Sequence, residues 1–158
     1  MKHLYLLRHA KSSWKHPELP DHDRPLAGRG RRAAKAMAKH IRAEGIAPEL
    51  VLCSTARRAR DTLERIEPAL GRRSVKVERE LYGAGVRQLL DRVRRVPSSV
   101  ESVLLIGHNP GMQDLAAALT GFDGKFPTAA LATIALPAWD ELEDAELVAF
   151  TKPRDLEA

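Results

Sequence analysis

Short apolar runs alternate with amphipathic stretches along the chain, and this alternation most restricts the folds that it can adopt. The apolar runs have the length of buried strands and occupy residues 3–7, 50–53, 75–77, 103–106, 131–136 and 147–150. Between them, apolar side chains recur at helical spacing: Ala33, Ala34, Met37, Ala38 and Ile41; Leu63, Ile66 and Leu70; Val86, Leu89, Leu90 and Val93; Met112, Leu115, Ala116 and Leu119. Strands that alternate with helices predict an α/β domain with a largely parallel sheet.

The end of the chain departs from this alternation, because no helical stretch separates the last two predicted strands. The connection over residues 137–146, which becomes acidic, is typical of a long hairpin and makes the sheet mixed. The prediction is an α/β three-layer αβα sandwich with a mostly parallel mixed sheet and a C-terminal hairpin. A chain of 158 residues, 44% hydrophobic, suits one domain over residues 1–158. Residues 152–158 are expected to form a frayed tail.

Cysteine content and hydropathy restrict the cellular compartment that the sequence predicts. Cys53 is the one cysteine, which excludes an intramolecular disulfide and a CxxC motif. The N-terminus reaches Arg8 too soon for a signal-peptide core. No apolar run approaches the roughly 20 residues that span a bilayer. These features predict a cytoplasmic protein with no membrane partner.

The formal net charge of +5 favours anionic partners. Much of the positive excess lies in three arginine clusters, at residues 29–32, 57–60 and 92–95. Clusters of this kind most often form solvated helix faces. The few aromatic residues do not alternate with basic ones as a base-stacking platform requires, so no nucleic-acid partner is predicted.

Three predicted strands end in residues that can bind an anion. The first runs into Arg8 and His9, the second into Ser54, and the fourth into Gly107 and His108. In open α/β sheets ligands bind beyond the carboxyl ends of the strands. Basic groups delivered to one edge by separate strands therefore predict an anion site.

The helix expected after the second strand begins close to that edge. Ser54 or Thr55 can cap it, and side chains in a first turn lean back toward the helix start. Arg57, Arg58 and Arg60 point in different directions around the helix, so at most one or two of them reach the anion. The spacing alone does not show which of the three arginines reaches the anion.

The fourth strand is followed by a second helix start. Asn109 is a good N-cap, and Pro110 suits the first helical position. His108 is therefore expected just before a helix N-terminus, where free N–H groups and the helix dipole favour an anion.

Four motifs, in order along the chain, resemble those of one known family. Arg8-His9-Ala10 is similar to its RHG/RHA signature, residues 54–62 to its SxxxRAxxT motif, residues 23–30 to its Arg-Pro-Leu segment before the first long helix, and residues 107–110 to its second-histidine motif. The family is the histidine phosphatase superfamily, with the phosphoglycerate mutase-like fold. The short chain and the run from Arg8 to Trp14 most resemble its SixA-type phosphohistidine phosphatase branch.

The resemblance implies a metal-independent phosphatase without a cofactor. His9 would attack phosphorus and form a phosphohistidine intermediate that water hydrolyses. The SxxxRAxxT motif selects Arg58, which together with Arg8 and His108 would hold the phosphoryl oxygens and stabilise their charge in the transition state. Neutral His9 is the reactive form, and the neighbouring arginines oppose its protonation.

Three more residues have weaker signals for a role at the site. Ser12 lies close to the place where the superfamily carries a polar residue after the first histidine, and Asn109 follows the second histidine. Both are expected to contact substrate. Glu80 follows the third strand, where many family members carry an acid, and would donate a proton to the leaving group. The alternative for Glu80 is a solvated charge in a charged loop.

The substrate follows from the resemblance and from an expected open site. A phosphohistidine in a partner protein suits a chain with little room for insertions, and a small phosphomonoester is the alternative. The same shortness disfavours a phosphoglycerate mutase. A phosphate-binding module that has lost turnover is a third possibility, which the intact set of His9, Arg8, Arg58 and His108 disfavours. The sequence leaves the oligomeric state open.

Overall fold

The structure is a computed structural model that describes residues 1–156. Its strands are β1 (Lys2–Arg8), β2 (Leu50–Ser54), β3 (Ser74–Glu78), β4 (Ser102–Gly107), β5 (Leu131–Leu136) and β6 (Glu146–Thr151). Its α-helices are α1 (Gly28–Ala43), α2 (Arg57–Leu70), α3 (Val86–Arg94) and α4 (Gly111–Thr120), and 3-10 turns cover Asp21–Asp23, Arg79–Leu81 and Pro153–Leu156. Among the described residues, no helix has the length and apolar character needed to cross a membrane.

The six strands form one mixed sheet in the order β3-β2-β4-β1-β5-β6. The pairs β2–β3, β2–β4 and β1–β4 are parallel, whereas β5 pairs antiparallel with both β1 and β6. Each connection between consecutive strands from β1 to β4 contains an α-helix, whereas the connection from β5 to β6 contains none. The predicted mostly parallel sheet with a C-terminal hairpin is thus confirmed.

Helices cover both faces of this sheet because successive strand side chains point to opposite faces. On β1, Leu6 packs into the core on the α3 and α4 side, and its neighbour Leu7 into the core on the α1 and α2 side. The helical residues buried there include most of the predicted stripes: Met37, Ile41, Leu63, Ile66 and Leu70 on one face, and Leu89, Val93, Met112, Leu115, Ala116 and Leu119 on the other. These layers confirm the αβα sandwich. One domain over residues 1–158 stays a prediction.

Two details of the prediction were wrong. The C-terminal segment is not frayed as far as Leu156, because the Lys152 N–H donates to the Asp155 carboxylate at 2.9 Å and Leu156 packs against the core. Residues 157–158 of that predicted tail lie outside the described residues. Helix α4 begins at Gly111 rather than Pro110, yet the Asn109 side-chain oxygen still accepts a first-turn N–H, that of Gln113, at 3.2 Å.

The start of α1 is packed tightly against the loop that follows β1. A Cβ atom on Gly30 would lie 2.1 Å from the Lys11 carbonyl oxygen, so only glycine fits there. The Ala27 N–H donates to that same oxygen at 2.9 Å, and the Ser13 N–H donates to Pro25 O at 2.8 Å. Residues 10–13 are therefore held firmly at the edge of the sheet.

Candidate active site

The sheet register brings the three basic strand ends to one edge. Arg8 pairs with Gly107 across β1 and β4, and Cys53 pairs with Ile106 across β2 and β4. The residues that follow these pairs are thus level with one another. The rings of His9 and His108 lie with their centroids 5.0 Å apart.

His9 is buried and held in one orientation. Its Nδ1 lies 2.7 Å from the Ala10 carbonyl oxygen, which can only accept, so Nδ1 carries the proton and Nε2 carries the lone pair. The Arg58 Nε–H faces this Nε2 at 3.4 Å. Thr62 joins the loop to α2, since its hydroxyl oxygen accepts the Ala10 N–H at 2.9 Å while its O–H donates to Arg58 O at 2.7 Å. His9 therefore presents an unprotonated nitrogen beside a guanidinium group.

The surroundings of both histidines keep them neutral. Burial lowers the pKa of His9 to about 3; the bond to Ala10 opposes this shift, and the nearby His108, Arg58 and Arg8 add to it. Burial also lowers the pKa of His108 to about 4, with a further contribution from Arg58. His9 is thus available as a nucleophile throughout the neutral and weakly acidic range.

Arg8 and Asn109 meet at a single carbonyl group. Arg8 Nη1 and Asn109 Nδ2 donate to Phe126 O at 3.1 and 3.0 Å. Gln113 Oε1 accepts the Phe126 N–H at 3.1 Å, which fixes that peptide group. The loop between α4 and β5 therefore orients Arg8 and Asn109 together.

Two buried polar atoms at the site lack a hydrogen-bond partner within residues 1–156. One is Arg8 Nε and the other is His108 Nδ1. The second ring nitrogen of His108, Nε2, lies 2.7 Å from the Ser54 hydroxyl, whose oxygen accepts the Ala56 N–H at 3.2 Å. We assign the Ser54 O–H as the donor to His108 Nε2, the tautomer in which the proton of the neutral ring lies on Nδ1. Buried polar atoms without a partner are costly, so two of them at one edge favour a site that binds a polar group such as an anion.

Asp21 is a site residue that the sequence reasoning missed. Its Oδ2 accepts from Arg58 Nη2 at 3.1 Å and from the Tyr82 hydroxyl at 2.6 Å, and its backbone oxygen accepts from Arg58 Nη1 at 2.9 Å. Its Oδ1 accepts from Arg24 at 3.0 and 3.1 Å. The Tyr82 bond is the main reason that the pKa of Asp21 falls to about 2, and Arg58 and Arg24 add to it. Asp21 is therefore ionised at neutral pH, and its carboxylate and backbone oxygen orient Arg58.

Ser12 and Glu80 contact residues other than the two histidines of the site. The Ser12 hydroxyl oxygen accepts from Arg24 at 2.7 Å, which places it beside the Asp21 group and not on His9. The Glu80 carboxylate accepts from Arg95 at 2.7 Å and lies 3.6 Å from Arg92, both in or next to α3. The structure therefore brings His9, Arg8, Arg58, His108 and Asn109 together, but directs Glu80 toward α3.

The donor set fits an anion. Two arginines and two histidines converge, and over residues 1–156 no group of three or more His, Cys, Asp or Glu side chains is placed to hold a metal ion. Arg58 is the member of its cluster that faces His9, since Arg57 pairs with Asp61 at 3.7 Å. Guanidinium groups match the oxygens of phosphate well.

The two depressed histidine pKa values predict a loss of stability in mild acid. Histidines in the unfolded chain bind a proton near pH 6.5, whereas His9 and His108 stay neutral in the folded protein until about pH 3 and about pH 4. Below pH 6.5 the unfolded state therefore binds more protons, and each histidine lowers the free energy of unfolding by about 1.4 kcal/mol per pH unit.

Urea unfolding at pH 7, 6 and 5 measures this effect. The wild type should lose stability faster with falling pH than the variant that combines His9→Asn and His108→Asn. Equal slopes for the two proteins would contradict the neutral state of both rings.

A mostly parallel sheet with arginines and histidines at its carboxyl edge is the arrangement expected of a protein that binds a phosphoryl group. The sequence model of the histidine phosphatase superfamily (branch 1) matches residues 4–89, more than half of the chain. The chain belongs to the histidine phosphatase superfamily, and it is a phosphatase. His108 and Asn109 lie beyond the matched range.

Proteins similar to this chain are known from both sequence and structure. An uncharacterized protein of Mycobacterium tuberculosis is 37% identical over 94% of this chain and 100% of its own length. A protein from Agrobacterium tumefaciens, provisionally named phosphohistidine phosphatase SixA, has a TM-score of 0.87 at 31% identity, covering 96% of this chain and 98% of its own. The protein histidine phosphatase SixA complexed with tungstate has a TM-score of 0.86 at 27% identity, covering 98% and 99%. The predicted family and fold are confirmed.

Proposed function

We propose that this phosphatase is metal-independent, uses His9 as its nucleophile, and removes the phosphoryl group from phosphohistidine in a partner protein. The observation that carries the proposal is the arrangement around His9 Nε2. Its lone pair faces Arg58 at 3.4 Å, with the unpartnered donors Arg8 Nε and His108 Nδ1 at the same edge. A phosphoryl group there would be attacked on phosphorus while its oxygens accept from these donors.

The first step transfers the phosphoryl group to the enzyme. His9 Nε2 forms a bond to phosphorus as the substrate P–N bond breaks, and the electron pair of that bond returns to the substrate imidazole. Nδ1 keeps its proton and its bond to the Ala10 carbonyl oxygen, which supports the positive charge that the ring acquires. Arg8, Arg58 and His108 stabilise the charge on the equatorial oxygens.

The second step returns the enzyme to its starting state. Water attacks phosphorus, the bond to His9 Nε2 breaks, and the protons of water leave with inorganic phosphate. Because Nδ1 kept its proton, His9 leaves as a neutral imidazole. The low pKa of His9 favours this neutral leaving group.

The contacts of Glu80 with Arg95 and Arg92 favour phosphohistidine over an alkyl phosphate as the substrate. When the ring of the substrate phosphohistidine is protonated, its imidazole leaves as a neutral group and needs no added proton. The alkoxide that leaves an alkyl phosphate does need one. Glu80 is engaged by Arg95 and Arg92. The similarity to SixA, itself a protein histidine phosphatase, supports the same substrate class. The role of Glu80 as a proton donor, and the location in the cytoplasm, stay predictions.

A comparison of two substrates tests the proposal. The purified protein is incubated in EDTA with a phosphohistidine-carrying protein and, separately, with p-nitrophenyl phosphate. The expected result is release of phosphate from both, with the higher kcat/KM on the protein. Loss of activity in EDTA would contradict the metal-independent mechanism. A preference for the small ester would instead favour a phosphomonoesterase, and phosphate binding without any release would favour a binding module.

A further inference from the structure

A second concave surface, which we call the basic cleft, lies apart from the histidine cluster. It has a volume of about 880 Å³ and is formed by the first half of α1, the loop between α4 and β5, and the segment from the end of β6 onward. Six cationic side chains line it: Lys11, Arg29, Arg32, Lys125, Lys152 and Arg154. No carboxylate of the described residues lines it, and its apolar part includes Phe122, Pro127 and Phe150.

The basic cleft gathers six cations that have no carboxylate partner. None of the six forms an ion pair with another residue in the range 1–156, a state that they share with exposed cations such as Arg72 and Lys76, but in the cleft they surround one concavity. The cluster at residues 92–95 behaves in the opposite way, since Arg92, Arg94 and Arg95 all pair with carboxylates. Six like charges around one concavity repel one another unless an anion lies between them.

Helix α1 adds to this positive potential. Arg29 and Arg32 lie near its N-terminus, where the helix dipole already carries partial positive charge. The first turn has no acidic residue, and the N-cap residue Ala27 has no capping side chain. Arginines in this place are unfavourable for the helix dipole, so their positive charge does not stabilise α1.

The cleft and the active site share two structural parts. Lys11, which lines the cleft, comes two residues after His9 on the loop held by α1. Pro127, also in the lining, follows Phe126, whose carbonyl oxygen accepts from Arg8. A macromolecule that presents a phosphoryl group to His9 therefore also lies next to the basic cleft.

We propose that the basic cleft binds an acidic segment of the phosphoprotein substrate, one that also carries apolar side chains. The proposal rests on the function proposed above. The cations select carboxylates, and the apolar part between them accepts aliphatic or aromatic side chains. Nucleic acid fits less well, because Phe122 and Phe150 pack on each other, with ring centroids 4.8 Å apart, and do not form open platforms for bases.

Two charge-reversal variants test the site by kinetics. The first combines Arg29→Glu and Lys125→Glu in the cleft, and the control combines Arg72→Glu and Lys76→Glu at the opposite, β3 edge of the sheet. Both pairs are exposed, and both variants lower the formal net charge by four. At low salt the cleft variant should lose about 10-fold to 100-fold in kcat/KM on an acidic phosphohistidine protein, with p-nitrophenyl phosphate turnover unchanged. The control should change by less than about 3-fold on either substrate. Equal losses in both variants would overturn the proposal.

A binding measurement separates this proposal from the proposed function. The probe is a fluorescein-labelled, unphosphorylated peptide of Glu, Asp and Leu, followed by fluorescence anisotropy. Weaker binding to the cleft variant alone supports the cleft even if phosphohistidine is not hydrolysed. Phosphohistidine turnover equal in all three proteins, with no peptide bound, overturns the cleft and leaves the function standing. Binding of a single-stranded oligonucleotide in place of the peptide, lost in the cleft variant, also overturns it.

Discussion

The variant His9→Asn is expected to lose kcat/KM by a factor on the order of 10⁴ or more, because the unprotonated Nε2 of the other neutral histidine, His108, is bound to the Ser54 hydroxyl. The Asn side chain can still donate to the Ala10 carbonyl oxygen, which His9 Nδ1 contacts at 2.7 Å. The variant should therefore remain folded, and residual turnover would measure binding and charge stabilisation without a nucleophile.

Trapping of the intermediate completes this prediction. Brief exposure of the wild type to ³²P-labelled substrate, followed by an alkaline quench and mass spectrometry, should place the label on the peptide that contains His9. The matched control is His40→Asn, a change on α1 that should leave labelling and turnover intact. Label on Ser12, Ser13 or Cys53, or turnover retained in His9→Asn, would contradict the role of His9.

The second large effect is expected for Arg58→Lys, which keeps the charge but removes the planar group. Arg58 directs Nε at His9 and both Nη atoms at Asp21. A lysine ammonium has no such fork and cannot hold both contacts and two phosphoryl oxygens. We expect kcat/KM to fall by about 10²-fold to 10³-fold, mostly through kcat, as for removal of a transition-state donor.

The neighbouring arginine provides the control for this substitution. Arg57 lies on the same helical turn but pairs with Asp61, so Arg57→Lys should change kcat/KM by less than about 3-fold. Steady-state kinetics on a phosphohistidine protein, with thermal unfolding of each variant, makes the comparison. Similar losses in the two variants would show that position 58 acts through helix α2 as a whole and not through its guanidinium group.

The sequence predicts the framework of the site because strand ends are local features. Arg8, Ser54 and Gly107 each close an apolar run, and a parallel sheet brings such ends to one edge without further information. The register then places His9 and His108 side by side. This part of the site follows from pattern and sheet geometry alone.

Asp21 could not be predicted in the same way. It lies in the irregular segment between β1 and α1, among other polar residues that give no periodic signal. Its role depends on contacts with Arg58 and Tyr82, which are 37 and 61 positions away along the chain. The partner of Glu80 was equally hidden, because whether a carboxylate in a charged loop faces a site or Arg95 is decided by the packing of α3.

The place of β1 in the sheet has a consequence for protein synthesis. This strand is made before both of its partners, because it lies between β4 and β5, which are encoded roughly 100 and 130 residues later. While the ribosome is still producing α1, β2 and α2, the nascent β1 has neither of its partners, and its apolar Leu4, Leu6 and Leu7 are exposed. Catalytic competence therefore arises only after β5 has been made, and a nascent chain released before β5 leaves β1 with an unpaired edge open to aggregation.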